Sequence, residues 1–200
     1  MKKLLVTTVI AAMLLAAGAA FGQPNQTHQL EVNIPNLVMI RIVDGSNAAS
    51  VDPTVVFDLT TGTALDALLA MDGTATFEPT STERFGDVVV FSNRATWSVS
   101  VAASDFVRSG EPDITEPGET PLSISAVSVE RPPVASFPIG VSSVAPTWTL
   151  TTTPESIANG VQTRGFRSLG FSGADYRLTL TGAEAPGDYA STVTYSITAP

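Results

Sequence analysis

Two stretches of this sequence set chemically capable side chains close together. The first is "RGFRSLGFSG", which places Arg164, Phe166, Arg167 and Phe171 in a glycine-punctuated run of an otherwise acidic chain. Arginine mixed with aromatic rings on a loop is the composition of a contact surface. The same pattern also suits a hairpin that tucks its phenylalanines inward. The second stretch is "RSGEPDITEPGETP", with carboxylates at Glu111, Asp113, Glu116 and Glu119. Oxygen ligands so close could hold a calcium ion. Pro112 and Pro117 interrupt the run, and the aspartate spacing of an EF-hand loop is absent, so a solvated acidic loop is expected.

Catalytic chemistry finds little to work with. His28 is the single histidine, in "NQTHQL" near the start of the chain, and there is no cysteine. A serine or cysteine nucleophile paired with histidine would need His28, and a segment near a terminus is badly placed for preorganised catalysis. A His/Cys transition-metal site lacks its ligands for the same reason. Some of the nineteen acidic residues will sit in pairs in any fold, so a glycosidase-like carboxylate pair has no specific signature. "GVSSV" and "GFSGAD" lack the lysine and the strand–helix context of a phosphate loop. No catalytic residue, cofactor or metal is expected, and the chain reads as non-enzymatic.

Residues 1–22 have the layout of a cleaved signal peptide: "MKK", then "LLVTTVIAAMLLAA", then the small residues of "GAAFGQ". Cleavage is expected before Gln23, and a cut after Ala20 also fits. The apolar run is short for a membrane span, so the mature chain is expected to be secreted or held at the cell surface with no transmembrane segment. Lys2 and Lys3 are the only lysines. Their loss leaves eight arginines against nineteen carboxylates, a net charge of −11. Such a surface repels nucleic acid and suits a cationic or neutral polysaccharide. Missing lysine also excludes Schiff-base chemistry.

The elements that must position these residues are strands. Alternation of apolar and polar residues dominates the chain. Leu30, Val32 and Ile34 form one such run, Val38, Ile40 and Ile42 a second, and Val55, Phe57 and Leu59 a third. "DVVVFSN" is apolar on both faces and predicts a central strand covered on both sides. Four segments repeat an aromatic–polar–aliphatic–hydroxyl pattern: "WSVS" at Trp97, "WTLT" at Trp148, "YRLT" at Tyr176 and "YSIT" at Tyr195. Period two puts each aromatic on the same face as its aliphatic neighbour, which predicts core positions for them rather than a sugar-stacking platform. The C-terminal "PGDYASTVTYSITAP" likewise predicts a half-buried strand, with Tyr189, Val193, Tyr195 and Ile197 facing one way.

In "LSISAVSVE" the apolar phase slips, as at a β-bulge. Helix is expected only in "TALDALLAMDG", with Leu65, Leu68 and Leu69 at helical spacing, and as one turn in "TPESIANG". Many short strands, with glycine and proline between them, predict one domain over residues 23–200. Its expected form is an immunoglobulin-like antiparallel β-sandwich with one or two short helices in crossovers.

The aromatic motifs carry a resemblance. "GDYASTVTYSITAP" supplies Gly187, Tyr189, Tyr195, Ile197, Thr198, Ala199 and Pro200. "WSVS" at Trp97 is followed by Asp105 and Phe106, and "WTLT" at Trp148 is a literal Trp-x-Leu. In these motifs the chain resembles WxL-domain cell-surface proteins, with Tyr195 in place of the distal tryptophan and Val99 in place of leucine. The resemblance implies an exported β-rich bacterial protein with a structural or adhesive role. Its implied partners are cell-wall polysaccharide, held without a covalent link, or other envelope surface proteins. The alternative is a pilin- or spore-coat-like subunit assembling by strand donation, with "THQLEVNIPNLVMIRI" as donor.

Overall fold

The computed structural model describes residues 31–32, 34–109 and 120–200. The expected signal peptide (1–22), His28 and the carboxylates from Glu111 to Glu119 lie outside the described residues. The chain divides into two units, Met1–Pro35 and Asn36–Pro200, and the architecture below belongs to the second.

That unit is an all-β sandwich. One four-stranded sheet runs β13–β4–β9–β7. Its members are Val193–Thr198, Trp97–Ala103, Glu155–Gly160 and Val141–Val144. The other four-stranded sheet runs β2–β11–β6–β8. It is built of Ala75–Phe77, Tyr176–Leu180, Val127–Glu130 and Thr147–Thr149. A three-stranded sheet places β3 (Asp87–Ser92) between β1 (Val38–Val43) and β10 (Arg167–Ser168). A two-stranded ribbon pairs β5 (Val107–Ser109) with β12 (Asp188–Ala190). Every ladder between these strands is antiparallel. Among the described residues no helix is long and apolar enough to cross a membrane.

The four aromatic motifs build the core. Trp97 and Val99 on β4 are buried, as are Trp148 and Leu150 at β8 and Tyr176 and Leu178 on β11. Tyr195 and Ile197 on β13 are partly buried against the same cluster. Phe85 and Phe171 join the two large sheets. Phe171 meets Trp148 edge-on at 4.9 Å and lies 5.7 Å from Tyr195, and Phe85 packs edge-on against Tyr176 at 5.9 Å. The Tyr176 and Tyr195 hydroxyls share a hydrogen bond of 2.7 Å across the sandwich. A hydroxyl pair of this kind is favourable there because an unpaired one would be costly in so apolar a place.

Several local expectations change. "TPESIANG" is the strand β9, not a helical turn. It is hydrogen-bonded to β4 on one side and β7 on the other, and this two-sided ladder with burial of Ile157 and Ala158 outweighs the helix-cap residues before it. The phase slip in "LSISAVSVE" comes from a 3₁₀ turn, Ile124–Ala126, leading into β6, rather than from a bulge. Bulges fall instead where β9 meets β4 and β7.

The helix α1 spans Gly62–Leu69. Leu65 and Leu68 are half-buried while Leu69 faces solvent. "VVFDL" makes one isolated bridge, Val56 to Ser81, although Val55, Phe57 and Leu59 do face the core as the alternation requires. Glu31, Val32 and Ile34 are in no strand, and Val32 and Ile34 are 69% and 74% exposed. Alternation without a ladder partner does not make a strand, and among the described residues the first ladder starts at Val38. Val38–Ile42, part of the expected donor segment, pairs with β3 of its own chain.

Candidate functional site

The three-stranded sheet presents the residues that fold stability leaves free. Its inner face carries Val88, Val90 and Ser92 into the core. Its outer face follows from register. Val89 sits at the centre of β3, opposite Arg41 on β1 and Ser168 on β10. Asp87, two residues earlier on the same face, lies opposite Val43, and Phe91, two residues later, lies opposite Met39. These outer positions form a surface groove of about 400 Å³ lined by Arg41, Asp87, Asn47, Ser168 and Phe166 over Val43 and Val89.

Local structure fixes each of these groups. Asn47 is held by a turn in which the Asp44 carboxylate accepts from the Ser46 N–H (2.8 Å), the Ser46 hydroxyl (2.7 Å) and the Ala48 N–H (3.1 Å). These bonds, the Ser46 hydroxyl first, hold the Asp44 carboxyl below its ordinary range. The turn packs against Gly86, where a side chain would strike the Asp44 carbonyl carbon at 2.7 Å. Only glycine lets the turn approach the start of β3 so closely. Phe166 is 39% exposed. The Arg41 guanidinium lies over its ring at 4.6 Å, and Phe91 supports it at 5.8 Å. Ser168 accepts a 2.8 Å hydrogen bond from the Gly170 N–H, which fixes its oxygen.

Asp87 is the electrostatic centre of the groove. Its Oδ1 is buried with no hydrogen-bond partner. Desolvation pushes its carboxyl above the ordinary value, and the nearby Asp175 charge adds to this. The Ser168 hydroxyl and the Val88 and Gly170 N–H groups pull it back only in part. A half-buried carboxylate with a spare oxygen costs stability, and such groups cluster at functional sites. The groove can supply guanidinium donors at Arg41, pack a ring edge beside Phe166 and meet a donor at the part of the Asp87 side chain that lines it, Oδ1 itself being buried.

Of the four residues expected to form a contact surface, the structure gathers some and separates others. Phe166 lines the groove and Arg164 is exposed on the loop leading into β10. Arg167 stands opposite Val90, and its Nε is buried without a partner. Phe171 is only 2% exposed and packs on Trp148 and Tyr195, so it leaves the contact surface for the core. The tryptophans are likewise core residues: Trp97 donates its indole N–H to the Val161 carbonyl at 2.7 Å, and Trp148 is 4% exposed. Tyr189 is partly buried, packs edge-on against Phe106 at 6.0 Å, and donates to the Ala185 carbonyl at 2.8 Å. Sequence reasoning missed Arg41, Asn47, Asp87 and Ser168. The one available signal was that Arg41 and Asp87 interrupt the outward phase of otherwise apolar strands. No cluster of three or more potential metal ligands occurs among the described residues.

Comparison with protein-family models, with curated proteins and with solved structures finds no match.

Proposed function

We propose that this chain is an exported, non-enzymatic β-sandwich of the bacterial cell surface that holds an envelope polysaccharide without a covalent link, in the groove of β1, β3 and β10. The observation that carries this reading is the groove itself. An exposed aromatic ring, Phe166, stands beside the planar polar side chains of Arg41, Asn47 and Asp87 in one groove. Sugars are recognised by that combination: C–H faces pack on a ring while hydroxyls exchange hydrogen bonds with planar side chains. The resemblance of the Trp97 and Tyr195 motifs to WxL-domain proteins supports an envelope role.

Co-sedimentation of the purified protein with isolated cell wall tests the proposal. The protein is expected to pellet with the wall, and Phe166→Ala is expected to release most of it while unfolding at the same temperature. A protein that stays in the supernatant, or a folded Phe166→Ala variant that pellets as before, overturns the reading.

A further inference from the structure

The arginines separate by what they hold. Among the described residues, Arg84 donates to the Val51 carbonyl, Arg94 to the C-terminal Pro200 and Arg108 to Pro186. Arg131 donates to the carbonyls of Ala145 and Pro132. Arg177 faces Glu78 at 3.4 Å and Glu130 at 3.7 Å and donates to two further carbonyls. Those five guanidinium groups are committed to the fold. Arg41, Arg164 and Arg167 are not, and all three lie on the three-stranded sheet or on the loop that enters it. Of these three, Arg41 alone lines the groove; Arg164 is exposed on the loop, and Arg167 stands opposite the inner-face residue Val90.

Resting on the reading of the groove as a polysaccharide site, we infer that the polysaccharide is an anionic one, whose carboxylate or phosphate group is bound by Arg41 while a neighbouring hydroxyl donates to Asp87. The guanidinium of Arg41 stacks one face on Phe166, which fixes its plane and leaves its edge N–H groups free. An edge of that kind matches the paired oxygens of a carboxylate or phosphate, and charge-assisted hydrogen bonds are about twice as strong as neutral ones. Arg41 and Asp87 are diagonal neighbours on one sheet face, so their Cα atoms stand roughly 7–8 Å apart and their Cβ atoms somewhat less. An acidic group and a hydroxyl on one sugar unit, or on adjoining units, bridge such a gap. The Arg41 guanidinium is turned onto Phe166 instead of pairing with Asp87.

Titration of the purified protein with three oligomers of matched length tests this: an oligogalacturonate, an oligo(glycerol phosphate) and an uncharged maltooligosaccharide, all at one fixed ionic strength. At least one anionic oligomer is expected to bind about tenfold tighter than the uncharged one, the worth of a single charge-assisted hydrogen bond at a partly exposed site. Arg41→Gln is expected to bring that ratio close to one. Arg41 is solvent-exposed, so this variant should keep its fold, and its unfolding temperature checks that. The preferred anion distinguishes a carboxylate from a phosphate polymer. Equal binding of charged and uncharged oligomers, or a ratio that survives Arg41→Gln, overturns the inference while leaving the polysaccharide groove in place. Failure of all three to bind, together with no retention on isolated wall, overturns both.

Discussion

Gly160→Ala tests the packing of the first aromatic motif. Gly160 ends β9 opposite Trp97 of β4. A methyl group there would come within 2.6 Å of Trp97 Cε2, and closer still to Cζ2 and to the Gly140 carbonyl oxygen. Ordinary contact begins near 3.4 Å, so the indole would have to retreat by more than about 0.8 Å. It has nowhere to go. Trp97 is 2% exposed and its N–H is tied to the Val161 carbonyl, while the Gly140 carbonyl is tied at 2.9 Å to the Val161 N–H.

Overpacking against an obstacle that can move costs 1–3 kcal/mol, and two fixed obstacles place this substitution near the top, about 3 kcal/mol. For a domain of this size that lowers Tm by roughly 6–12 °C. Urea unfolding followed by far-UV circular dichroism and by tryptophan emission should show a lower midpoint with an unchanged slope. Adding Trp97→Phe should recover only part of the loss, because the Gly140 carbonyl remains in the way. A Gly160→Ala protein within 0.5 kcal/mol of the parent would refute this account of how β9 packs on β4.

Two further predictions concern titrating groups. Burial raises the Asp87 carboxyl above its unfolded value, so the favourable contribution of this group is complete below pH 3.8 and is lost as pH climbs through the raised value. Asp87→Asn should therefore unfold at higher urea than the parent at pH 7, should lose that advantage below pH 3.8, and should bind the groove's ligand more weakly. Tyr176 is pushed up to about 12 by burial, offset in part by its bond to Tyr195, so the pair's stabilisation holds below pH 10 and is lost as pH rises through about 12. Tyr176→Phe should cost about 1–2 kcal/mol at pH 7, because it leaves the Tyr195 hydroxyl without its partner, and should flatten the fall in stability between pH 10 and pH 12.

The fold was legible wherever side-chain period matched a ladder. The motifs at Trp97, Tyr176 and Tyr195 lie on strands, the Trp148 motif opens on one, and in each the aromatic shares a face with its aliphatic partner. Two kinds of segment misled. "TPESIANG" has good local helix signals, yet a strand hydrogen-bonded on both edges gains more than a single helical turn can offer. Val32 and Ile34 keep the alternation of a strand yet lie in none, because period says nothing about whether a partner strand exists. Asn159–Gly160 has the residues of a hairpin turn and instead ends β9, because the glycine is needed for the approach of Trp97.

The groove was half legible, and the missing half has a physical cause. "RGFRSLGFSG" flags Phe166 by its company of arginines, but no local pattern separates Phe166 from Phe171, which faces the core. The two differ because β10 is only two residues long, and the chain then turns at Gly170, whose φ is +77°, to carry Phe171 inward. Arg41 and Asp87 are far from this loop in sequence and reach it only because β3 pairs with β1 on one edge and β10 on the other. The pairing fixes the groove as tightly as the fold. A slip of one residue between β1 and β3 would turn Arg41 toward the core and Ile40 or Ile42 into the groove, so burial of those isoleucines is what holds the guanidinium outward. Composition counts eight arginines beyond Lys2 and Lys3 as equal charges. Tertiary structure separates five that hold carbonyls or glutamates from three that do not, and of those three Arg41 alone lines the groove.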